Sequence, residues 1–234
     1  MTDSNPSPAT VKKTQPTPER LARMEAALEN RTRHITVVLE DIYQERNAAA
    51  VLRTCDFFGI QDVHVIENRN PFPKENDVAR GAGQWLTLHR HTCAWGDSVD
   101  KDAWRPTSLR DHPQARANTL KCLRTLKTQG YRLAAATLRP EALDLRQIPV
   151  DQPLALIVGT ERSGLSEVAH NEADFLFSLP SLGFTQSLNL SVFTALCLYD
   201  LVNRLKSHTP DWQIDTTEKA SIKKTWMEAR VKSR

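Results

Sequence analysis

The chain has 234 residues, of which 40% are hydrophobic and 25% charged, a balance typical of a globular protein with a sizeable core. This composition excludes collagen-like, disulfide-scaffold and wholly disordered chains. The aliphatic runs are far shorter than the roughly 20 residues needed to cross a bilayer, and no secretory signal is visible, so we expect a cytoplasmic protein without a membrane span. The net charge is +3, with +2 on residues 1–34, +4 on residues 202–234 and −3 between them.

The first part of the chain predicts a leader, a helix and a βαβ unit. Residues 1–18 are rich in proline and predict a flexible leader, and residues 19–34 predict an N-terminal helical extension capped by Thr17, with Pro18 in its first turn. Short β-branched runs at 34–40 and 62–66 predict strands on either side of a helix over 47–58. This order implies a parallel sheet with a right-handed crossover.

The second part continues the alternation of strands and helices. Residues 89–118 lack any period and predict a loop-rich excursion, whereas 119–129 predict a helix that ends at Gly130. Further strands are predicted at 131–137, 154–158 and 174–179, followed by a long helix over 187–205 and a short basic helix over 221–231. We therefore expect one α/β domain over residues 35–207 and a basic C-terminal helical extension over 208–234.

The four cysteines are spaced too widely to indicate a metal site. Cys55, Cys93, Cys122 and Cys197 form no C-x-x-C pair and have no histidine at metal-binding spacing. We interpret them as reduced structural thiols and expect no bound metal.

Three segments place polar residues where predicted strands end or helices begin, which is where α/β sheets bind ligands. In the first, Arg53 follows Asn47 by six residues, so the two lie about 120° apart around a helix. The second is the glycine-bracketed loop 159–164, which by itself is a routine strand-to-helix turn. In the third, Ser187, Asn189 and Ser191 alternate with leucines at the start of the longest helix. From the residues alone, Arg53 is interpreted first as the ion-pair partner of a carboxylate, and the third segment as a well-capped helix.

Together these segments resemble the SPOUT superfamily of RNA methyltransferases, specifically its SpoU or TrmH branch of ribose 2′-O-methyltransferases. The resemblance covers residues 20–205, and its most specific part is Ser-Leu-Asn-Leu-Ser at 187–191, which follows a Pro-x-x-Gly. The segment Gln84-Trp85-Leu86 is similar to a short tryptophan-bearing segment of that family.

The resemblance implies an open parallel sheet flanked by helices with a deep C-terminal trefoil knot, S-adenosylmethionine as cofactor, and a homodimer whose active site is completed across the interface. No metal is implied. The implied cofactor-binding residues are Ala136, Thr137, Val158, Gly159, Leu179, Ser187 and Leu188. The implied catalytic residues are Asn47, Arg53, Glu161, Ser187 and Asn189.

The sequence departs from the family pattern in two places. The usual Gly-Asn-Glu is Gly159-Thr160-Glu161 here, and Glu45-Arg46 stands where relatives often carry a Pro-His pair. Threonine keeps a hydrogen-bonding group but lacks the amide donor of asparagine.

The resemblance implies transfer of a methyl group to a ribose 2′-hydroxyl, with a guanosine in the tRNA D-loop as the leading substrate. A ribosomal RNA 2′-O-methyltransferase and a non-catalytic RNA-binding protein of the same fold are the alternatives. A nucleotide-dependent oxidoreductase is excluded because no glycine fingerprint follows the first strand.

The basic ends of the chain are interpreted as an RNA-binding surface, although a solvated helix face would give the same charge pattern. The predicted RNA-binding residues are Arg20, Arg23, Arg31, Lys223, Lys224 and Arg230.

Overall fold

The computed structural model describes residues 16–72, 82–93 and 111–228, in which helices cover both faces of a parallel sheet. The described strands are β1 (Ile35–Glu40), β2 (Asp62–Glu67), β3 (Thr87–Thr92), β4 (Arg132–Ala136), β5 (Leu143–Asp144), β6 (Leu154–Val158) and β7 (Phe175–Ser178). The described α-helices are α1 (Pro18–Leu28), α2 (Glu45–Phe57), α3 (Pro113–Thr128), α4 (Glu167–Glu172), α5 (Leu190–His208) and α6 (Thr216–Glu228). In this part of the chain, no helix combines the length and apolar character that crossing a membrane requires.

The sheet has the order β3-β2-β1-β6-β4-β7-β5, and every neighbouring pair of strands is parallel. The central strands β1 and β6 are buried along their whole length, as expected for aliphatic strands covered on both faces. From β1 the chain first builds outward through β2 and β3, and later fills the opposite side of the sheet. The carboxyl ends of the strands around this reversal are therefore where a ligand is expected.

Two apolar layers fix the helices to the sheet. On one face, Leu52 of α2 and Leu198 of α5 are fully buried in the core that includes Leu156 of β6. On the other face, Leu123 of α3 and Ala169 of α4 pack with a second group of buried residues. The sheet is thus the middle layer of three, and its central strands β1 and β6 are covered on both faces.

The terminal helices α1 and α6 pack against each other in a third apolar cluster. Met24 and Leu28 of α1 are buried with Ile222 and Trp226 of α6. The Trp226 ring meets Trp85 edge-on, with 5.3 Å between ring centroids. The basic tail is therefore anchored by its apolar face, at least as far as the described residues extend.

The sequence predictions were wrong at both ends of the region 89–118 that was interpreted as a loop, and the middle of that region, 94–110, lies outside the described residues. Among the described strands, β3 lies at the edge of the sheet and pairs with β2 alone, so its side chains are half-exposed and its histidines give no apolar signal. Helix α3 begins at Pro113 instead of 119, because Pro113 occupies the first turn and the His112 side chain accepts from Gln114 N. Helix α6 begins at Thr216, earlier than predicted.

The N-terminal helix is confirmed, because Thr17 Oγ1 accepts from Arg20 N at 3.3 Å and Pro18 occupies its first turn. The predicted leader lies largely outside the described residues. All four cysteines are free and buried, as predicted. Burial raises the pKa of the Cys55 and Cys197 thiols well above the usual range.

Candidate functional site

A cleft of about 1390 Å³ opens at the carboxyl ends of β4, β6 and β7. It is larger than the roughly 300–1,000 Å³ of most small-molecule sites, so it has room for a cofactor and part of a second substrate. All seven predicted cofactor-binding residues line it: Ala136, Thr137, Val158, Gly159, Leu179, Ser187 and Leu188.

The loop after β6 forms one wall of the cleft through a tight backbone pairing. Thr160 N donates to Gly164 O at 3.1 Å, and Gly164 N donates to Thr160 O at 3.0 Å. A Cβ at Gly159 would lie 2.3 Å from backbone atoms of Gly164, so no side chain fits there without moving the loop. The φ of Gly164 is +62°, a value that favours glycine.

Thr160, where the family pattern has asparagine, closes this loop from within. Its Oγ1 accepts from Ser163 N at 3.1 Å and lies 2.9 Å from Ser163 Oγ. Thr160 is buried. The threonine therefore has a structural role in the loop that needs no amide donor.

The far end of the loop is fixed to the sheet by a buried carboxylate. Ser166 N donates to Glu40 Oε2 at 2.8 Å, and Ser166 Oγ donates to Glu40 Oε1 at 2.6 Å. Ser166 is also the N-cap of α4, where its hydroxyl accepts from Ala169 N. Glu40 thus couples the end of β1 to the wall of the cleft.

Three of the predicted catalytic residues form a chain of hydrogen bonds at the rim of the cleft. Asn47 Nδ2 donates to Glu161 Oε1 at 2.6 Å, and Asn189 Nδ2 donates to Asn47 Oδ1 at 3.1 Å. Asn189 is the N-cap of α5, and its Oδ1 accepts from Ser191 N at 2.9 Å. Both asparagines therefore have their amide orientation set by these partners.

Glu161 keeps one carboxylate oxygen available. Its Oε2 is buried and has no hydrogen-bond partner among the described residues. A buried acceptor without a donor costs free energy, so this oxygen suits a donor on a ligand in the cleft.

Ser187 and Arg53, the other two predicted catalytic residues, lie in different places. Ser187 is exposed and lines the cleft. Arg53 is exposed on α2, does not line the cleft, and makes no ion pair with any residue that the structure describes. The ion-pair interpretation of Arg53 is thus not seen in the described part of the chain, and the structure does not place Arg53 among the residues that line the cleft.

Sequence reasoning missed polar residues on α4 and after β4. His170 Nε2 lies 3.1 Å from Thr137 Oγ1, and Arg139 pairs with Glu167 at 2.6 Å. All four side chains line the cleft. Thr137 was predicted, whereas no motif marks Arg139, Glu167 or His170. Arg139 lies outside the helices and strands, and the six-residue helix that carries Glu167 and His170 gives no periodic signal.

The predicted RNA-binding residues on the terminal helices require one correction. Arg31 is 3% exposed, because its guanidinium donates to Ile60 O, pairs with Asp56 and lies over the Trp226 ring. It is a structural residue and is not available to RNA. Of the others, Arg20 is half-buried, Arg23 and Lys224 are exposed, and Lys223 pairs with Glu25. Arg230 lies outside the described residues.

Comparison with known proteins identifies relatives over most of the chain. Residues 34–101 and 98–199 match the SpoU rRNA Methylase family. A protein of Borreliella burgdorferi named tRNA (guanosine(18)-2′-O)-methyltransferase is 33% identical over 217 residues, which are 93% of this chain and 88% of the relative.

Solved structures show the same fold. The TrmH/SpoU tRNA modifying enzyme of A. aeolicus matches with a TM-score of 0.70 and 24% identity over 89% of this chain and 95% of that one. An AdoMet-bound rRNA methyltransferase from Sinorhizobium meliloti matches with a TM-score of 0.59 and 20% identity over 75% of this chain and 58% of that one.

Proposed function

The chain belongs to the SpoU methylase family, and from this premise we propose that it is a tRNA 2′-O-methyltransferase that acts on the ribose of the D-loop guanosine at position 18. The observation that carries the proposal is the convergence of Asn47, Glu161 and Asn189 on one cleft, together with every residue implied for the cofactor. A tRNA-modifying enzyme works where tRNA is present, so we place it in the cytoplasm.

The cleft fits S-adenosylmethionine by the chemistry of its walls. Residues of three loops line it, and the buried Oε2 of Glu161 has no donor among the described residues. When bound, S-adenosylmethionine supplies a methyl group on a positively charged sulfur. We assign its binding to the loop at Val158 and Gly159, the end of β4 at Ala136 and Thr137, and the segment around Leu179, Ser187 and Leu188.

The residues of the chain supply orientation and charge for the reaction. A ribose hydroxyl is a weak nucleophile, so the site must hold it in line and stabilise the negative charge that develops on its oxygen. We assign that charge stabilisation to Arg53, while Asn47 and Asn189 orient the ribose or the neighbouring phosphate. A guanidinium does not act as a base, so the proton leaves to a phosphate or to water.

The position of Arg53 supports a homodimer in which the active site is shared. Arg53 is exposed and outside the cleft of its own protomer, so it serves the partner's cleft. An apolar face accompanies it: Leu188, Val192, Leu196 and Tyr199 at α5 and Phe57 on α2 are between 46% and 81% exposed. These exposed apolar side chains lie on or beside two helices that pack against each other, and they suit a self-complementary interface.

The order of the strands supports the trefoil knot. In the sheet, β7 lies between β4 and β5, although both of these strands come earlier in the chain. The connection from β4 to β5 therefore already passes over the position that β7 later occupies. The segment after β7 then lines the same cleft as the loop 159–164. A chain threaded through that earlier connection accounts for both features, although threading is rare in proteins.

We place tRNA on the surface formed by α1 and α6. Arg20, Arg23, Lys223 and Lys224 lie on these two packed helices, and Arg230 follows α6 in the sequence, outside the described residues. Cationic side chains there would neutralise backbone phosphates whatever the base sequence.

The deciding experiment maps ribose methylation made by the purified protein. A tRNA transcript, the same tRNA with 2′-deoxyguanosine at position 18, and ribosomal RNA are each incubated with S-adenosylmethionine and analysed by mass spectrometry. We expect one methyl group on the first RNA and none on the other two. Methylation of ribosomal RNA alone would favour the ribosomal alternative, and cofactor binding without transfer to any RNA would favour the non-catalytic one.

A further inference from the structure

Three side chains that can bind a metal ion meet on the α3 face of the sheet. They are His64 on β2, His91 on β3 and Cys122 on α3, and one ligand atom from each lies within 4.8 Å of the other two. None of the three lines the cleft. Their separation along the chain explains why the sequence predicts no metal site.

The spacing of these atoms is close to that of a zinc site. Tetrahedral Zn²⁺ bound to nitrogen at about 2.0 Å and sulfur at about 2.3 Å separates its ligand atoms by roughly 3.3–3.8 Å. His64 Nδ1 and His91 Nε2 are 3.2 Å apart. A shift of about one ångström, within the reach of a cysteine rotamer change, brings the Cys122 sulfur to the same separation.

Neighbouring residues hold the three side chains in place. His89 stacks on His64 with 4.4 Å between ring centroids, and His89 Nε2 lies 3.0 Å from Asp62 Oδ1. Asn118, one turn before Cys122 on α3, donates to His91 O at 2.8 Å. Ordered surroundings of this kind raise the affinity of a metal site.

We propose that His64, His91 and Cys122 bind one Zn²⁺ ion, with a water molecule as the fourth ligand. The ion ties β2, β3 and α3 together and takes no part in methyl transfer. Binding replaces the thiol proton of Cys122 by a zinc–sulfur bond and releases that proton to water. Half-buried His91 gives the ion a route from solvent.

The two histidine rings already have the neutral form that binds a metal ion, whereas the thiol must lose a proton. Burial lowers the pKa of His64 to about 3 and also lowers the pKa of His91, so both rings are neutral at pH 7 and can donate a lone pair. Burial raises the pKa of Cys122 to about 12, so the thiol is protonated until a metal displaces the proton. The charged groups nearby are Glu40 and Asp62, which favour a cation, and Lys121, which opposes it.

The test uses the full-length protein treated with a chelator and then titrated with zinc chloride or cobalt chloride. We expect one zinc ion per chain, a higher melting temperature with zinc, and a thiolate-to-cobalt absorption band in the near ultraviolet. His91→Ala, which removes a half-buried ligand, should weaken zinc binding by more than about 100-fold, beyond the 10–100-fold effect of changes around a metal. Cys122→Ser should abolish the cobalt band.

Two matched variants control the assignment. Cys197→Ser removes an equally buried thiol on the opposite face of the sheet and should leave zinc affinity unchanged. His89→Ala removes the stacked neighbour and should weaken binding by about 10-fold, as a positioning change. The proposal is overturned if zinc does not bind, if His89→Ala weakens binding as much as His91→Ala, or if the cobalt band survives in Cys122→Ser. The two histidines would then form a hydrogen-bonded pair only.

Discussion

Asn47 and Glu161 are joined by a 2.6 Å hydrogen bond that connects the first turn of α2 to the loop after β6. The same asparagine accepts from Asn189 at the start of α5, so one side chain links three elements of the cleft. We predict that Asn47→Ala lowers the rate of methyl transfer by about 100-fold, the scale seen when a preorganised polar group is removed from a reacting centre. The measurements are kcat and KM for tRNA, with S-adenosylmethionine affinity measured separately.

Gln44→Ala provides the control for that prediction. Gln44 is exposed and receives only a 3.3 Å bond from the same Asn47 amide. Gln44 also lines the cleft, and this variant removes only its hydrogen bond to Asn47. Its loss should change kcat by less than about threefold, because the Asn47 bonds to Glu161 and Asn189 stay in place. Equal losses in the two variants would show that the chain of asparagines is not what orients the substrate.

Arg53→Ala should leave the fold and the cofactor affinity intact while lowering turnover by about 100-fold or more, because a charge at the reacting oxygen is lost. Arg53→Lys should restore turnover only in part, since lysine carries the charge but lacks the planar guanidinium group. Arg46→Ala, an exposed arginine on the same helix, is the matched control.

A mixed dimer tests which protomer supplies Arg53. Arg53→Ala chains are combined with chains that carry Gly159→Ala, which disables the cleft. If the arginine serves the partner's cleft, the mixture regains activity, because one of its two clefts has both an intact wall and an intact arginine. No gain over the separate variants would place Arg53 and the cleft it serves in the same protomer.

The sequence predicts the central strands but not the edge of the sheet. β1 and β6 are continuous aliphatic runs because both faces are covered, and that pattern is readable in one dimension. β3 carries His89, Arg90 and His91 in a half-exposed edge strand, where no apolar period is needed. The polar composition of β3 is therefore the reason why the sequence does not predict this strand.

The candidate site was reached only through the resemblance to a family. Asn47, Glu161 and Asn189 are far apart in sequence, and each has an ordinary local role at the start of a helix or in a turn. They meet because the fold brings the start of α2, the loop after β6 and the start of α5 to one cleft. The spacing of the residues in the sequence does not reveal this arrangement. The burial of Arg31 was missed for a similar reason, since its partners Asp56 and Trp226 come from α2 and α6.

Gly159→Ala should weaken S-adenosylmethionine binding. The new Cβ would lie 2.3 Å from the backbone of Gly164, so the wall of the cleft must move. Overpacking of this kind costs about 1–3 kcal/mol, equivalent to a roughly 10- to 100-fold loss of affinity. Gly183→Ala is the control, because its Cβ would meet no described atom within 4 Å. Calorimetry on both variants checks the prediction, and unchanged affinity in Gly159→Ala would contradict it.

Glu40→Gln should lower both the stability and the cofactor affinity. Glu40 is 3% exposed and accepts from Ser166 N, Ser166 Oγ and Thr119 Oγ1. The amide nitrogen either faces the Ser166 backbone N–H, which is also a donor, or replaces the oxygen that two hydroxyls donate to, so that both hydroxyls lose their charged acceptor. Losing such a buried hydrogen bond costs about 1–3 kcal/mol. Glu172→Gln, which breaks a more exposed ion pair with Arg124, should cost less than about 0.5 kcal/mol. Equal melting temperatures for the two variants would contradict a structural role of Glu40.

The role of the basic tail in RNA binding requires variants that do not remove its anchor. Trp226 is 2% exposed in the cluster with α1, so deleting the chain from Thr216 onward removes packing as well as charge. We expect Trp226→Ala alone to destabilise the protein by about 3–5 kcal/mol. A truncation would therefore lower the melting temperature and could not isolate the contribution of the lysines.

Lys224→Ala isolates that contribution, because Lys224 is exposed and forms no ion pair within the described residues, whereas Lys223 pairs with Glu25 at 2.6 Å. If Lys224 contacts a phosphate, the slope of log affinity for tRNA against log salt should fall by about 0.7–0.9. The melting temperature and the cofactor affinity should not change. Lys223→Ala should give a smaller change in slope, since its charge is already partly neutralised. An unchanged slope in Lys224→Ala, with the protein fully folded, would mean that this face of α6 is simply solvated and that RNA is bound elsewhere.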